Sequence, residues 1–161
     1  MKTVLVREGK QSDLQSLFNL IRELAIYEKA EHEISNSVAQ MAIDGFGEKP
    51  VFGFFVAEVD GQVVGMAVWY FRFSTWKGRR LWLEDIIVSE PFRGKGIGKK
   101  LFDAVMEKSI QENCTGMMWQ VLDWNEPSIE FYKRYGSKLD SGWINCQLER
   151  SQIEEHLRNK G

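Results

Sequence analysis

The chain has 161 residues, a formal net charge of −2, two cysteines and two histidines. We expect a single domain over residues 1–161, because this length is typical of one domain with a sizeable core. The near-neutral, mixed charge disfavours nucleic acid and membrane surfaces as partners and favours small molecules.

Cysteine, histidine and hydropathy patterns narrow the class further. Cys114, Cys146, His32 and His156 lack the spacing of a zinc site, so we expect no metal. No apolar run reaches the length of a membrane span, and the early charges from Lys2 onward do not fit a secretory signal. We therefore predict a cytoplasmic protein.

Apolar spacing and turn residues predict strands and helices through the first half of the chain. Apolar residues at helical spacing from Leu14 to Ala25 predict an amphipathic helix. Asp60-Gly61 has the sequence preferred for a two-residue hairpin, so its flanking strands should be antiparallel. The predicted elements are a strand over Thr3–Arg7, a helix capped at Ser12 or Asp13, a short helix capped at Ser35 or Ser37 and ending near Asp44-Gly45, and hairpin strands over Val51–Val59 and Gln62–Phe73.

The second half of the chain adds a βαβ unit. The run from Leu81 to Val88 carries apolar residues on both faces, as a central strand does. Pro127 suits the first turn of a helix and Gly136 its end. The predicted elements are strands over Leu81–Val88 and Gly116–Leu122 around a helix over Gly96–Glu112, a helix from Pro127 to Tyr135, strands over Ser137–Asp140 and Trp143–Leu148, and a last helix opened by a Ser151/Glu154 capping box. Together they predict a mixed α/β fold.

A glycine-rich turn, Arg93-Gly94-Lys95-Gly96-Ile97-Gly98-Lys99, joins the central strand to the next helix. It is not a P-loop, because its glycine spacing is one residue too short and no serine or threonine follows the lysine. It is not the dinucleotide fingerprint, whose third glycine is replaced by Lys99. Bare amides at a helix start bind phosphate, so the turn predicts a pyrophosphate ligand; a simple change of chain direction is the alternative.

The motif Arg93-x-x-Gly96-x-Gly98 after a buried strand resembles the acetyl-CoA motif of the GNAT superfamily of N-acetyltransferases. Four more stretches resemble its diamine (spermidine/spermine) acetyltransferase branch. They are Leu20-Ile21-Arg22-Glu23-Leu24-Ala25-x-Tyr27-Glu28, Asp44-Gly45-Phe46-Gly47, Leu83-Glu84-Asp85 and Trp124-Asn125-Glu126-Pro127-Ser128-Ile129-x-Phe131-Tyr132-Lys133-Arg134. The resemblance implies the GNAT fold: a mixed, mostly antiparallel sheet, splayed at a parallel βαβ acetyl-CoA site, with helices on both faces. It also implies a homodimer.

The resemblance assigns catalytic roles to two residues. Glu84 would help to remove the proton of the ammonium substrate, directly or through water, and Tyr132 would protonate the CoA sulfur. Glu84 could instead be a structural carboxylate paired with Arg79 or Arg80, and Tyr132 could be a packed aromatic residue.

Acetyl-CoA is expected along the central strand and the glycine-rich turn. The resemblance implies that the backbone of the strand end pairs with the pantetheine arm and orients the thioester carbonyl. It also implies coenzyme contacts at Asn125 and Ser128, both of which could act simply as helix caps. The predicted coenzyme-binding residues are Ile86, Ile87, Val88, Arg93, Gly94, Lys95, Gly96, Ile97, Gly98, Lys99, Asn125 and Ser128.

Acidic and aromatic residues predict the amine site. Neighbours alternate along a strand, so Asp85 should face away from Glu84 unless a bulge re-aims one of them. Glu31 and Glu33 could attract an amine or form a solvated helix end. The predicted substrate-binding residues are Tyr27, Glu28, Trp76, Glu84, Asp85, Trp119 and Trp143.

Two serines bear on the choice of amine. Polyamine-acetylating members of the resembling branch carry acids where this chain has Ser74 and Ser141, so long polyamines should bind less well than short amines. We expect direct acetyl transfer from acetyl-CoA to the primary amine of a small diamine, polyamine or lysine-like compound. The alternatives are a protein or peptide N-acetyltransferase and a non-catalytic acyl-CoA-binding regulatory module.

Overall fold

A computed structural model of the protein describes residues 3–160. The chain divides into two compact units, the first ending at Leu122 and the second beginning at Asp123. The strands are β1 (Val4–Glu8), β2 (Gly53–Val59), β3 (Gln62–Ser74), β4 (Gly78–Val88) and β5 (Met117–Trp119). The α-helices are α1 (Leu14–Tyr27), α2 (Val38–Phe46), α3 (Ile97–Gln111), α4 (Glu126–Lys133) and α5 (Arg150–Arg158).

All five strands belong to one sheet of the first unit, in the order β1-β2-β3-β4-β5. The first three pairings are antiparallel and the pairing of β4 with β5 is parallel. Asp60 and Gly61 both adopt positive φ, +50° and +79°, as the hairpin between β2 and β3 requires. The predicted mixed, mostly antiparallel sheet is therefore confirmed.

Helices cover both faces of this sheet. Leu14, Leu17 and Leu20 of α1 pack with Met41 of α2 against one face, which we call the α1 face. The other side, the α3 face, contacts α3, whose buried residues include Leu101, Phe102 and Val105. The apolar spacing in the sequence predicted α1 and α3, because it matches the period of an α-helix.

The end of the chain departs from the sequence prediction. The strand predicted over Gly116–Leu122 is shorter, since only Met117–Trp119 pair with β4. The strands predicted over Ser137–Asp140 and Trp143–Leu148 are not formed. A strand requires a neighbouring strand for its backbone hydrogen bonds, and none of the described residues supplies one to this segment. Instead, the Asp140 carboxylate accepts a hydrogen bond from the Gly142 amide at 2.9 Å, which favours a local turn.

Two helix starts in the second unit show how capping residues act. The Asn125 side chain accepts a hydrogen bond from the Ser128 amide at 3.4 Å and begins α4. The prediction that Ser151 opens the last helix is wrong, because α5 begins earlier, after Glu149. The Glu149 amide donates to the Gln152 side chain at 2.8 Å, so these two residues form the capping box.

Among residues 3–160, no helix combines the length and apolar character needed to cross a membrane. The same residues hold no group of three or more His, Cys, Asp or Glu side chains arranged around a metal ion. Cys114 and Cys146 are free thiols.

Candidate active site

The parallel strands β4 and β5 separate halfway along β4. Their last paired residues are Leu83 and Trp119, whereas β4 continues to Val88. Over residues 84–88, β4 has a strand partner only on its β3 side among the described residues. An unpaired strand edge offers backbone donors and acceptors to an extended ligand.

The turn that follows β4 ends at the start of α3. Gly94 and Gly96 have φ of +74° and +76°, a conformation that residues with a Cβ adopt only at a cost. A Cβ built on either glycine would meet no atom within 4 Å, so backbone conformation rather than lack of space requires glycine. Because α3 begins at Ile97, the amides of Gly96, Ile97, Gly98 and Lys99 have no acceptor within the helix. The geometry fits a phosphate-binding turn.

Glu23 of α1 holds this turn in place. One carboxylate oxygen accepts hydrogen bonds from the Glu90 amide at 2.9 Å and from the Arg93 guanidinium at 3.5 Å. The other oxygen accepts a hydrogen bond from the Ser89 hydroxyl at 2.9 Å. Arg93 also donates from Nε to the Val88 carbonyl at 2.8 Å. Glu23 therefore fixes the path of the chain between β4 and the glycines.

A β-bulge at Glu84 places two acidic residues on the same side of the sheet. Leu83 pairs with Trp69 and Asp85 pairs with Val68, so Glu84 is an extra residue in β4. Because Val68 packs in the core on the α1 face, its neighbour Asp85 lies on that face too. Asp85 therefore does not face away from Glu84: the structure has the bulge that the sequence left open as the exception, and it shifts the alternation by one residue.

The Glu84 carboxylate is bound by an indole. It accepts a hydrogen bond from Trp82 Nε1 at 2.7 Å. The Trp82 ring lies 6.3 Å from the Tyr70 ring, on the same face. Arg79 instead pairs with Glu112 on α3 at 3.5 Å, and Arg80 donates to a backbone carbonyl. The alternative in which Glu84 pairs with one of these arginines is not what the structure shows.

Asp85 has a strongly perturbed ionisation. Burial raises its pKa to about 7, and the negative charges of Glu84 and Glu28 add to the increase. Burial also raises the pKa of Glu28, at the end of α1. The carboxyls of these residues thus lie near enough to repel one another, and a cation between them would relieve that repulsion. Such a group is suited to binding an ammonium ion.

The remaining residues of the α1 end divide into two groups. The Tyr27 ring lies 5.6 Å from the Arg93 guanidinium, so Tyr27 stands beside the glycine-rich turn. Glu31 and Glu33 are exposed, and Glu31 pairs with Arg22 at 3.0 Å. These outer glutamates form a solvated helix end, the alternative that the sequence left open.

Within the first unit, the structure does not bring Trp119 or Trp76 to the acidic pair. Trp119 packs edge-on against Phe102 of α3, at 5.2 Å between ring centres, and therefore lies on the α3 face. Trp76 is 82% exposed in the turn between β3 and β4, about 20 Å along the strand from Glu84. Trp143 belongs to the second unit and is 74% exposed.

The second unit carries the other predicted site residues on α4. Tyr132 is buried, its ring 5.4 Å from that of Phe131. Its carbonyl accepts a hydrogen bond from the Ser137 hydroxyl at 2.8 Å. Asn125 acts as the helix cap, so the cap interpretation of this residue is confirmed, and Ser128 supplies the capped amide.

A cavity of about 420 Å³ lies elsewhere, between α3 and the strands β1 and β2. Its lining includes Val4, Phe55, Lys100 and Ala104 and none of the predicted site residues. Phe55 packs with Trp69 on the α3 face, the side opposite the acidic pair. The open edge of β4, and not this cavity, therefore holds the predicted site residues of the first unit and is the candidate active site.

Sequence reasoning missed four residues near the acidic pair and the turn. Trp82 could have been found, because a residue two positions before Glu84 on a strand shares its face. Tyr70 and Arg72 required the register of β3 against β4, which the sequence does not show. Glu23 lies within a stretch that carried the resemblance, but nothing in its spacing pointed to the turn.

Comparison with known proteins agrees with this geometry. The model of the acetyltransferase (GNAT) family matches residues 14–136. Thialysine N-epsilon-acetyltransferase of Bos taurus is 40% identical over 96% of this chain and 98% of its own length. Spermidine/spermine N(1)-acetyltransferase-like protein 1 of Homo sapiens is 30% identical over 92% of this chain and 23% of its own length.

A solved structure shows the same fold at lower identity. An aminoglycoside N-acetyltransferase in complex with CoA superimposes with a TM-score of 0.70 at 18% identity, over 93% of this chain and 97% of the other. The matched family model, the full-length relatives and the splayed β4–β5 pair lead to one conclusion. The chain belongs to the acetyltransferase (GNAT) family and is an N-acetyltransferase.

Proposed function

We propose that the protein transfers the acetyl group of acetyl-CoA directly to the primary amine of a small diamine, polyamine or lysine-like compound. One observation carries this proposal: the open edge of β4 begins at the acidic residues Glu84 and Asp85 and ends at the glycine-rich turn. A single strand thus connects a group suited to an ammonium ion with a group suited to a pyrophosphate. The names of two relatives, a thialysine N-epsilon-acetyltransferase and a spermidine/spermine N(1)-acetyltransferase-like protein, support the same substrate range.

Acetyl-CoA supplies the activated acetyl group, and we assign its binding to the open edge of β4 and to the glycine-rich turn. The backbone of Ile86, Ile87 and Val88 pairs with the pantetheine arm along the open edge of β4. The pyrophosphate binds the amides of the turn at the positive end of α3, with Arg93 beside it. The predicted residues of the turn are Gly94, Lys95, Gly96, Ile97, Gly98 and Lys99. Asn125 and Ser128 complete the coenzyme contacts.

The acidic residues bind and deprotonate the amine. Asp85 and Glu28 attract the ammonium group, since three neighbouring carboxyls favour a cation between them. Glu84 accepts the proton of the ammonium group, directly or through water, so that the neutral nitrogen forms its bond to the thioester carbon. Trp82 orients the Glu84 carboxylate through its 2.7 Å hydrogen bond.

The departing sulfur requires a proton as the carbon–sulfur bond breaks, and we assign that proton to the Tyr132 hydroxyl. Support comes from the matching tyrosine of the resembling branch and from the fixed, buried position of Tyr132 on α4. Tyr132→Phe should lower kcat about 10²-fold and leave the Kd of acetyl-CoA within twofold. Thiol release slowed to this extent with unchanged acetyl-CoA binding supports this role, whereas an unchanged kcat would remove it.

An amine panel tests the proposed function. Thiol release from acetyl-CoA is measured with spermidine, putrescine, L-lysine and a lysine-containing peptide. We expect release with at least one small amine and formation of its N-acetyl product by mass spectrometry. Thermal stabilisation by acetyl-CoA without thiol release from any amine would instead favour a regulatory module, and release with the peptide alone would favour a protein acetyltransferase.

We also propose that the protein is a homodimer in the cytoplasm. The second unit supports dimerisation, because Trp143 and Ile144 are 74% and 89% exposed and the segment around them has no strand partner among the described residues. Exposed apolar residues on a chain segment are typical of an interface. Ile144→Asp should convert the dimer to a monomer in sedimentation experiments, and a monomeric wild type would contradict the proposal. The free thiols of Cys114 and Cys146 fit a reducing compartment.

A further inference from the structure

The hairpin of β3 and β4 carries positive charge toward its tip and negative charge at the bulge. Between Phe71 and Leu83 the chain carries four cations and no anion, and the next two residues are Glu84 and Asp85. The cations are Arg72, Lys77, Arg79 and Arg80. A substrate that lies along this hairpin therefore meets negative charge at the bulge and positive charge beyond it.

The charged groups of the other three cations are directed away from a substrate on the α1 face. Arg79 lies 3.8 Å from the Phe71 ring and pairs with Glu112, directly after α3. Arg80 pairs with Arg72 in the register of β3 and β4 and so leaves the sheet on the same face, but its guanidinium donates to the Met117 carbonyl at 3.4 Å, toward β5. Lys77 lies in the exposed turn at the tip of the hairpin.

Arg72 is different, because its guanidinium stays on the α1 face beside the indole that binds Glu84. Its guanidinium carbon is 5.1 Å from the centre of the Trp82 ring, and Trp82 Nε1 in turn is 2.7 Å from the Glu84 carboxylate. Tyr70, two residues away on β3, adds a second ring beside Trp82. Among residues 3–160, no carboxylate lies within ion-pair distance of Arg72.

The order of groups on this face is thus cation, aromatic wall, carboxylates. At the backbone, Arg72 lies two two-residue steps, ~13 Å, from the level at which Val68 pairs with Asp85, but its guanidinium extends over the Trp82 ring and so shortens the span between the charges. The side-chain nitrogen and the α-carboxylate of an extended lysine-length amino acid are ~7–8 Å apart. A second ammonium group at the level of Arg72 would meet a like charge, whereas a carboxylate would gain a charge-assisted, bidentate partner.

We infer that Arg72 binds a carboxylate of the amine substrate, so that the preferred substrates are ω-amino acids and not polyamines. This inference rests on the proposed acetyl transfer and narrows its substrate class. The amine of the substrate reaches Glu84 and Asp85, its methylene chain lies on Tyr70 and Trp82, and its carboxylate reaches Arg72. Arg72 is a specificity-determining residue and takes no part in proton transfer.

Matched substrates and matched variants test this assignment. The kcat/KM of acetylation is measured for L-lysine and for L-lysinamide, in which a neutral amide replaces the carboxylate. A second pair, 6-aminohexanoate and hexylamine, removes the α-amine from the comparison. The variants are Arg72→Gln, the partial restoration Arg72→Lys, and the control Lys77→Gln, which removes one exposed cation of the same hairpin.

In the wild type, each carboxylate-bearing amine should exceed its neutral partner ~10–100-fold in kcat/KM, the range expected for a charged bidentate contact. Arg72→Gln should lower kcat/KM for the carboxylate-bearing amine only, which brings the ratio within each pair close to 1. Arg72→Lys should restore part of this ratio. Lys77→Gln should leave the ratio at its wild-type value. Acetyl transfer in which Arg72→Gln affects both amines of a pair equally, or neither, would overturn this inference alone. No thiol release with any amine would overturn the proposed acetyl transfer itself.

Discussion

The glycine-rich turn and the bulge of β4 lie at the two ends of the same strand, yet they are built by different means. The turn depends on backbone conformation, because Gly94 and Gly96 adopt positive φ and α3 leaves its first amides without acceptors. The bulge depends on side chains that a shift in register brings together, among them Glu84 and Asp85. A backbone site tolerates changes of side chain but not of conformation, whereas a site of side chains tolerates small shifts of backbone but not the loss of a charge.

The largest expected effect concerns the charge of Glu84. Glu84→Gln should lower kcat for a small primary amine ~10²–10³-fold, because the substituted amide cannot accept the ammonium proton. Trp82→Phe is the companion variant, because it keeps the carboxylate and removes only its 2.7 Å hydrogen bond from the indole, so it should lower kcat less than Glu84→Gln does. If Glu84→Gln has the kcat of the wild type, Glu84 has only a structural role.

A comparison of two glycines tests the backbone character of the turn. Gly61 and Gly96 have nearly equal φ, +79° and +76°, and a Cβ on either would meet no atom within 4 Å. Alanine at either position should therefore reduce the free energy of unfolding by a similar amount, about 1 kcal/mol. Only Gly96→Ala should raise the KM of acetyl-CoA, by ~10–100-fold, because Gly61 lies in the hairpin between β2 and β3. Equal KM values for the two variants would show that the conformation of the turn does not matter for binding.

The glycine-rich turn and the bulge also differ in how well the sequence predicted them. The turn was predictable because glycine spacing indicates a backbone requirement directly. Of its two glycines with positive φ, Gly96 is a glycine of the motif and Gly94 belongs to the same glycine-rich stretch. The bulge was not predictable, since regular alternation is the default for any strand and only the pairing of Asp85 with Val68 reveals the extra residue. The predicted strands around Trp143 failed for a related reason, because a run of strand-forming residues does not state which strand it will pair with.

Glu23 links the two kinds of construction, because a side chain of α1 fixes the backbone of the turn. Glu23→Ala removes the acceptor of three hydrogen bonds and should raise the KM of acetyl-CoA ~10-fold with kcat little changed. Glu31→Ala is the control, since Glu31 is an exposed carboxylate of the same region that pairs with Arg22 at 3.0 Å and not with the turn.

The charge of Glu23 could also oppose the phosphates of the ligand, and the two effects predict opposite signs. If the carboxylate acts by repulsion, both Glu23→Ala and Glu23→Gln lower the KM of acetyl-CoA. If it acts by holding the Ser89 hydroxyl and the Glu90 amide, Glu23→Ala raises that KM. The sign of the change in KM therefore decides whether Glu23 is a positioning residue.

The smallest expected effect concerns the ionisation of Asp85 and is read in stability. The folded protein holds the Asp85 proton up to a pH of about 7, whereas the unfolded chain releases it near 3.8. Between these values the folded state binds more protons, so ionisation of Asp85 destabilises the protein progressively as pH rises. Asp85→Asn removes this cost. Its free energy of unfolding relative to wild type should increase by about 1 kcal/mol from pH 5 to pH 8, after allowance for solvent screening of a partly exposed group.

Chemical denaturation at both pH values measures this difference, with Asp123→Asn as the control for loss of an exposed carboxylate. An ammonium ion bound beside Asp85 should reverse the trend in the wild type, because a cation favours the ionised carboxylate. A saturating amine should therefore stabilise wild type more at pH 8 than at pH 5, and should stabilise Asp85→Asn equally at both. If stabilisation of the wild type by the amine does not change with pH, the amine does not bind beside Asp85. The amine-binding group at the bulge would then consist of Glu84 and Trp82 alone.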